Sequence, residues 1–108
     1  MPCARVVDRD FGPEADLLKA LADPHRLTIV ATLARSAKPV CVCDFTEALA
    51  INQSSVSHHL AILREAGIVT SERYGTWAYY TLRPGVRERF AATVNAALGA
   101  RKKLRKAS

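Results

Sequence analysis

The sequence predicts a mainly α-helical chain with one small β-hairpin, about five helices and a two-stranded wing, on three observations. The first is the stretch from Asn52 to Gly67, which reads as a single helix with two unlike faces. Asn52 can cap its start, and Gly67 can take the left-handed position just past its end. At about 100° per residue, Val56, Leu60 and Leu63 share one side and Ser54, Ser57, His58 and Ala61 the other. The second is a short helical segment, Asp44 to Ala50, which precedes it across the tight connection Ile51-Asn52-Gln53, in helix-turn-helix proportions. The third is the pair of β-prone runs that follows, Ile68 to Tyr74 and Thr76 to Leu82, joined at Gly75. Helix, turn, helix and hairpin in that order make a winged helix-turn-helix. Residues 1–108 are expected to form one such domain, with 1–11 a loose arm and 101–108 a basic tail.

The earlier helices follow from their start signals. Gly12-Pro13 opens the first, with Glu14 and Asp16 favourable to the helix dipole and Leu17, Leu18 and Leu21 as its apolar side. Asp23-Pro24 repeats the device for a second helix, expected to bury Leu27, Val30 and Leu33. Ser36-Ala37-Lys38-Pro39 ends it. The hairpin should alternate, with Ala78, Tyr80 and Leu82 on one side and Trp77, Tyr79 and Thr81 on the other. Trp77 reads as packing. From Pro84 a last helix begins, whose Val86, Phe90, Val94 and Leu98 form an apolar stripe that a chain this small has little left to cover.

Composition narrows the function classes. The chain is 108 residues long and 49% apolar, with a formal charge of +6, which points to a globular domain and raises the odds of a nucleic-acid partner. Part of that charge lies in the tail Arg101 to Lys106, a run read as a solvated end. No stretch resembles a signal peptide, and the longest apolar run is too short to cross a bilayer, so a cytoplasmic protein without membrane contact is expected. Three cysteines are an odd count for a disulfide framework and are better read as free thiols, ligands or redox groups.

These motifs together resemble the ArsR/SmtB family of dimeric, metal-responsive bacterial repressors. The resemblance rests on Leu21-Ala22-Asp23-Pro24-His25-Arg26-Leu27, Cys41-Val42-Cys43-Asp44, Gln53 to Leu60, Leu63-Arg64-Glu65-Ala66-Gly67 and the Gly75 to Leu82 wing, within Ala20 to Leu82. It implies a homodimer paired through the first and last helices, so Leu17, Leu21, Val86, Phe90, Val94 and Leu98 become interface candidates. It also implies double-stranded operator DNA as partner, with an inverted repeat matching the two-fold axis.

Gln53, Ser54, Ser57 and His58, with Ser55, lie in the half of the helix that enters the major groove in helix-turn-helix proteins, where such side chains bond base edges. Arg73, Tyr74 and Thr76 flank the wing turn, where a wing meets the phosphate backbone or minor groove. His59, further round the helix, reads as a core-edge residue, and His25 as structural.

Cys41 and Cys43 are spaced i, i+2. In a regular helix their side chains point about 160° apart, whereas in an extended segment they share one side. A shared ion is therefore expected to unwind the start of the helix that holds them. Thiolates select soft ions. A trivalent metalloid, As(III) or Sb(III), wants three sulfurs, and Cys3 is the third; Cd, Pb or Zn would want a fourth ligand, for which Asp44 is the nearby offer. By the resemblance, arsenic- and cadmium-sensing members carry Cys-Val-Cys-Asp here, and a cadmium sensor's arm supplies thiols across the dimer. The zinc-sensing members use a last helix with His and carboxylates, but Arg83 to Lys106 holds no His and a single acid, Glu88. A redox or persulfide switch at the pair is the alternative, since thiols near a helix N-terminus have lowered pKa values. An enzyme is not expected: no Cys-x-x-Cys or phosphate loop is present.

Overall fold

A computed structural model describes residues 6–99. The elements run α1 (Gly12–Leu21), α2 (Pro24–Arg35), β1 (Val40–Cys41), α3 (Val42–Leu49), α4 (Gln53–Glu65), β2 (Val69–Tyr74), β3 (Trp77–Leu82) and α5 (Val86–Leu98). The five helices and the wing follow the expected order. The sheet has a third strand: β1 pairs antiparallel with β3, giving the order β1-β3-β2. The arm's first residues, including Cys3, and the basic tail lie outside the described residues.

Local chemistry sets the helix ends. The Asp23 carboxylate accepts from the backbone N–H groups of His25 (2.9 Å) and Arg26 (3.1 Å), closing the first turn of α2 behind Pro24. Asn52 does the same for α4, accepting from the Ser55 N–H at 2.8 Å. At the far end of α4, Gly67 takes φ +74°, and the N–H groups of Ile68 and Gly67 reach back to the carbonyls of Leu63 (2.9 Å) and Arg64 (3.0 Å). That is the Schellman closure, completed by the apolar pair Leu63 and Ile68, both fully buried. Gly75 at φ +65° opens the two-residue hairpin loop, where a primed turn needs a positive φ.

The core gathers Ile29 and Leu33 of α2, Phe45 of α3, Val56, Leu60 and Leu63 of α4, and Ile68 and Val69 at the start of the wing. The α4 face is as expected, with all three apolar residues at 0% exposure. The α2 face is not. Ile29 is the fully buried residue, whereas Leu27 is 51% exposed. Apolar residues occur all round this helix, and the direction from which α4 and the sheet approach decides which of them turn inward. On α1, Leu17 and Ala20 face the core while Leu18 is exposed.

The wing adds one refinement and one correction. The alternation of the wing stands in its unbroken antiparallel register, but it is not matched by burial: from Ala78 to Leu82 residues on both sides of β3 are partly buried. Trp77 is 52% exposed and is not packing. Among the described residues no helix is long and apolar enough to cross a membrane.

Candidate nucleic-acid interface and thiol site

On α4 the fold leaves one face uncovered. Gln53, Ser54, Ser57, His58 and Ala61 are exposed, while Ser55 is half-buried and its N–H is taken by the Asn52 cap. Short polar groups with no bulky charge can approach base edges closely. On the wing, Arg73, Tyr74 and Thr76 are exposed. The Tyr74 hydroxyl donates to Glu72 at 2.9 Å, which raises its pKa, and its ring meets Tyr79 edge-on at 5.6 Å. The exposed Trp77 ring lies directly across from Tyr74 and joins these candidates, which sequence reasoning missed.

Away from the exposed face, α4 is held by two arginines, one at its C-terminus and one at its middle. Arg89 of α5 donates to the carbonyls of Gly67 (2.8 Å) and Ala66 (3.2 Å), at the C-terminus of α4. Arg26 of α2 meets the Nδ1 atom of His59 at 3.0 Å. His59 is half-buried at the core edge, and His25 stacks near it at 5.5 Å. The sequence assigned neither arginine a role, because the contacts with α4 join groups remote along the chain.

The thiols occupy the junction of β1 and α3. Cys41 is the last residue of the strand, with ψ 148°, and also the N-cap of α3. Its sulfur accepts from the Cys43 N–H at 3.5 Å and from the Cys43 S–H at 2.9 Å. The expectation that pairing the sulfurs must unwind a helix is therefore overturned: only Cys43 lies in α3, and the extended backbone at Cys41 turns its side chain to the same side. Cys41 is buried and Cys43 exposed, so the pair opens outward through Cys43. Donation to Cys41 holds the Cys43 pKa above the ordinary thiol value, assisted by burial and by the negative charge of Cys41 and Asp44. The lowered pKa expected of a redox thiol is not found at Cys43.

The Asp44 carboxylate turns back to accept from the Cys41 N–H at 3.3 Å, completing a capping box. Among the described residues no group of three or more His, Cys, Asp or Glu side chains could hold a metal ion. The arrangement shown is two adjacent sulfurs, with the Asp44 carboxylate engaged by the Cys41 N–H.

The interface candidates divide. Leu17 and Val86 are buried within their own chain, and Leu21 and Phe90 are partly covered. Val94 and Leu98 are exposed, at 44% and 81%, as is Leu18 on α1.

Comparison with known proteins matches residues 23–71 to the family described as "Bacterial regulatory protein, arsR family". The chain is 50% identical over 64 residues to the arsenical resistance operon repressor of Bacillus subtilis, covering 59% of this chain and 60% of that one. It is 44% identical over 68 residues to a transcriptional repressor SmtB homolog of Synechocystis, covering 63% of this chain and 50% of that one. The chain thus spans between half and three fifths of these two relatives. Among solved structures it superposes, with a TM-score of 0.64 and 31% identity, on the homodimeric winged helix-turn-helix DNA-binding domain of Mb0332 from Mycobacterium bovis, a possible ArsR-family transcriptional regulator. That match covers 79% of this chain and 78% of that one.

Proposed function

The chain belongs to the ArsR family of bacterial regulatory proteins, and on that premise we propose that it is a homodimeric, cytoplasmic transcriptional repressor released from operator DNA by arsenite or antimonite at Cys41 and Cys43. The observation that carries the choice of inducer is the sulfur pair, 2.9 Å apart at the N-cap of α3. Two adjacent thiols suit a thiol-seeking metalloid. Arsenous acid forms two As–S bonds with them, and each thiol proton leaves with a hydroxide as water. The third position is filled by a hydroxide or a third thiol, for which Cys3 is the proposed donor, from the same subunit or its partner.

Gln53, Ser54, Ser57 and His58 read base edges, and Arg73, Tyr74 and Thr76 meet the flanking phosphates. The α5 stripe, now reduced to Phe90, Val94 and Leu98, joins Leu18 and Leu21 in pairing two subunits about a two-fold axis. The reading helices then face successive major grooves of an inverted repeat, about 34 Å apart.

The route from thiol to DNA runs through the cap. Cys41 lies opposite Tyr79 of the wing and begins the helix that packs on α4. An ion bound by both sulfurs would replace the S–H proton that now joins them and engage the Cys41 sulfur that caps α3. Loading would therefore remove the S–H···S bond and disturb the cap of the helix that packs on α4.

A second reading keeps the DNA binding and makes Cd, Pb or Zn the inducer, as the SmtB-type relative allows. The capping role of Asp44 disfavours it, since that carboxylate would have to leave the Cys41 N–H to become a ligand. A redox or persulfide switch at the pair is the third. Mobility shifts with arsenite, cadmium and peroxide added in turn separate the three: the proposal expects release by arsenite at the lowest concentration. Release by peroxide alone overturns it.

A further inference from the structure

The side chain of Arg26 joins three helices. From the first turn of α2, its Nε donates to the carbonyl of Ala20 at 2.6 Å and its NH2 group reaches that of Lys19 at 3.5 Å, both at the C-terminal end of α1. Its third arm, NH1, lies 3.0 Å from Nδ1 of His59 in the middle of α4. An unpaired helix C-terminus attracts such a donor, because the last carbonyls lack intrahelical partners. The contact with α4 has no such local cause. We infer that Arg26 is a positioning residue for DNA reading, fixing α4 against the end of α1 through the Nδ1 atom of His59. The inference rests on the reading of α4 as the DNA-contacting helix.

Hydrogen-bond chemistry makes this contact conditional. A guanidinium only donates, so Nδ1 must present a lone pair and the ring proton must sit on Nε2. A doubly protonated ring cannot accept from Arg26 at all. The titratable and charged groups around His59 are Asp23 in the α1–α2 turn, Arg26 and His25 on α2, and His58 on α4. Asp23 is the one that favours the charged ring, with Oδ2 3.9 Å from Nδ1. Burial outweighs it and, with Arg26 and the other two histidines, holds the His59 pKa below the ordinary 6.5. At neutral pH the ring therefore accepts from Arg26. Protonation in acid breaks that bond and turns Nδ1–H towards Asp23, releasing α4 from the end of α1.

The sign separates this device from general electrostatics. Positive charge gained by a DNA-binding surface as pH falls would tighten binding through the phosphates. Loss of the Arg26 contact weakens it.

The test uses the full chain and a labelled inverted-repeat operator, with affinity measured from pH 5 to 8 at several salt concentrations. Arg26→Met keeps the apolar stem and removes the donors, and His59→Asn keeps an uncharged acceptor near the Nδ1 position and cannot titrate. Relative to His59→Asn, the parent should lose affinity in acid, at a pH below the ordinary histidine value because burial lowers the His59 pKa. Arg26→Met should be weaker by roughly tenfold at pH 7.5, the range for a hydrogen bond to a charged group, with little further fall in acid. Its salt slope should equal the parent's, whereas a phosphate contact would lower the slope by about one. His59→Asn should bind within about threefold of the parent at pH 7.5 and lose the acid fall. Nitrogen-15 NMR of the DNA-free protein should show His59 as the Nε2–H tautomer, with that preference lost in Arg26→Met. A His59→Asn variant whose pH profile matches the parent's, an Arg26→Met variant with a reduced salt slope, or a His59 that carries its proton on Nδ1 overturns the inference. A parent with no operator preference at any pH fails differently, sinking the DNA reading itself.

Discussion

Cys41 and Cys43 bring their sulfurs to 2.9 Å across a change of backbone conformation: Cys41 ends strand β1 and Cys43 lies in the first turn of α3. The capping sulfur of the helix is thereby also one of the two ligand candidates. Anything that binds it competes with the Cys43 N–H and S–H groups that it now accepts from.

The raised Cys43 pKa separates two inducer classes by their protons. Cadmium must displace the Cys43 proton, so its affinity should rise with pH until that thiol ionises. Arsenous acid releases water rather than protons, so its affinity should stay nearly flat between pH 6 and 8. Calorimetry in buffers of different ionisation enthalpy counts the protons directly. A steep proton release with arsenite would contradict the account.

The reading face should carry sequence preference without most of the affinity. Ser57→Ala with His58→Ala is expected to abolish discrimination between operator and random DNA, leaving salt-sensitive binding largely in place. Competition binding at two salt concentrations checks it, and a double variant that still discriminates as the parent does would move the reading surface elsewhere.

Because Val94 and Leu98 are exposed, they can be changed without opening the core. Val94→Asp with Leu98→Asp should give a folded monomer that melts below the parent, since the change spares the core of each chain but removes the stabilisation that pairing adds. Sedimentation velocity reports the mass. A persisting dimer would place the interface off this stripe.

Gly67→Ala tests the end of the reading helix. At φ +74° an L side chain is strained, and an added Cβ would lie 3.1 Å from the Arg89 guanidinium that holds the α4 C-terminus. A loss of about 1–3 kcal/mol is expected in urea unfolding, with α4 most affected in hydrogen exchange. A neutral substitution would mean that neither the Schellman closure nor the Arg89 contact matters.

Much of this was legible in the sequence where signals were local and redundant. Asn52 and Gly67 punctuate α4 at both ends, and Val56, Leu60 and Leu63 leave only one way to bury it. Legibility failed where partners are remote. Leu27 and Ile29 are equally apolar, and only packing against the sheet and α4 selects Ile29. Strand β1 is two residues long, too short to show a period, and it exists because Val40 and Cys41 pair with Tyr80 and Tyr79. Missing that strand led to the unwinding mechanism at the thiols. The contact between Arg26 and His59 spans 33 positions and left no local trace.

The most direct measurement is arsenite-driven release of a labelled inverted-repeat operator, followed by fluorescence anisotropy, in the parent and in Cys41→Ser and Cys43→Ser. All three should bind the operator with similar affinity. Only the parent should let go as arsenite is added, and operator should weaken its arsenite binding by the same factor. Release of either variant at the parent's arsenite concentration would place the inducer site away from these two thiols.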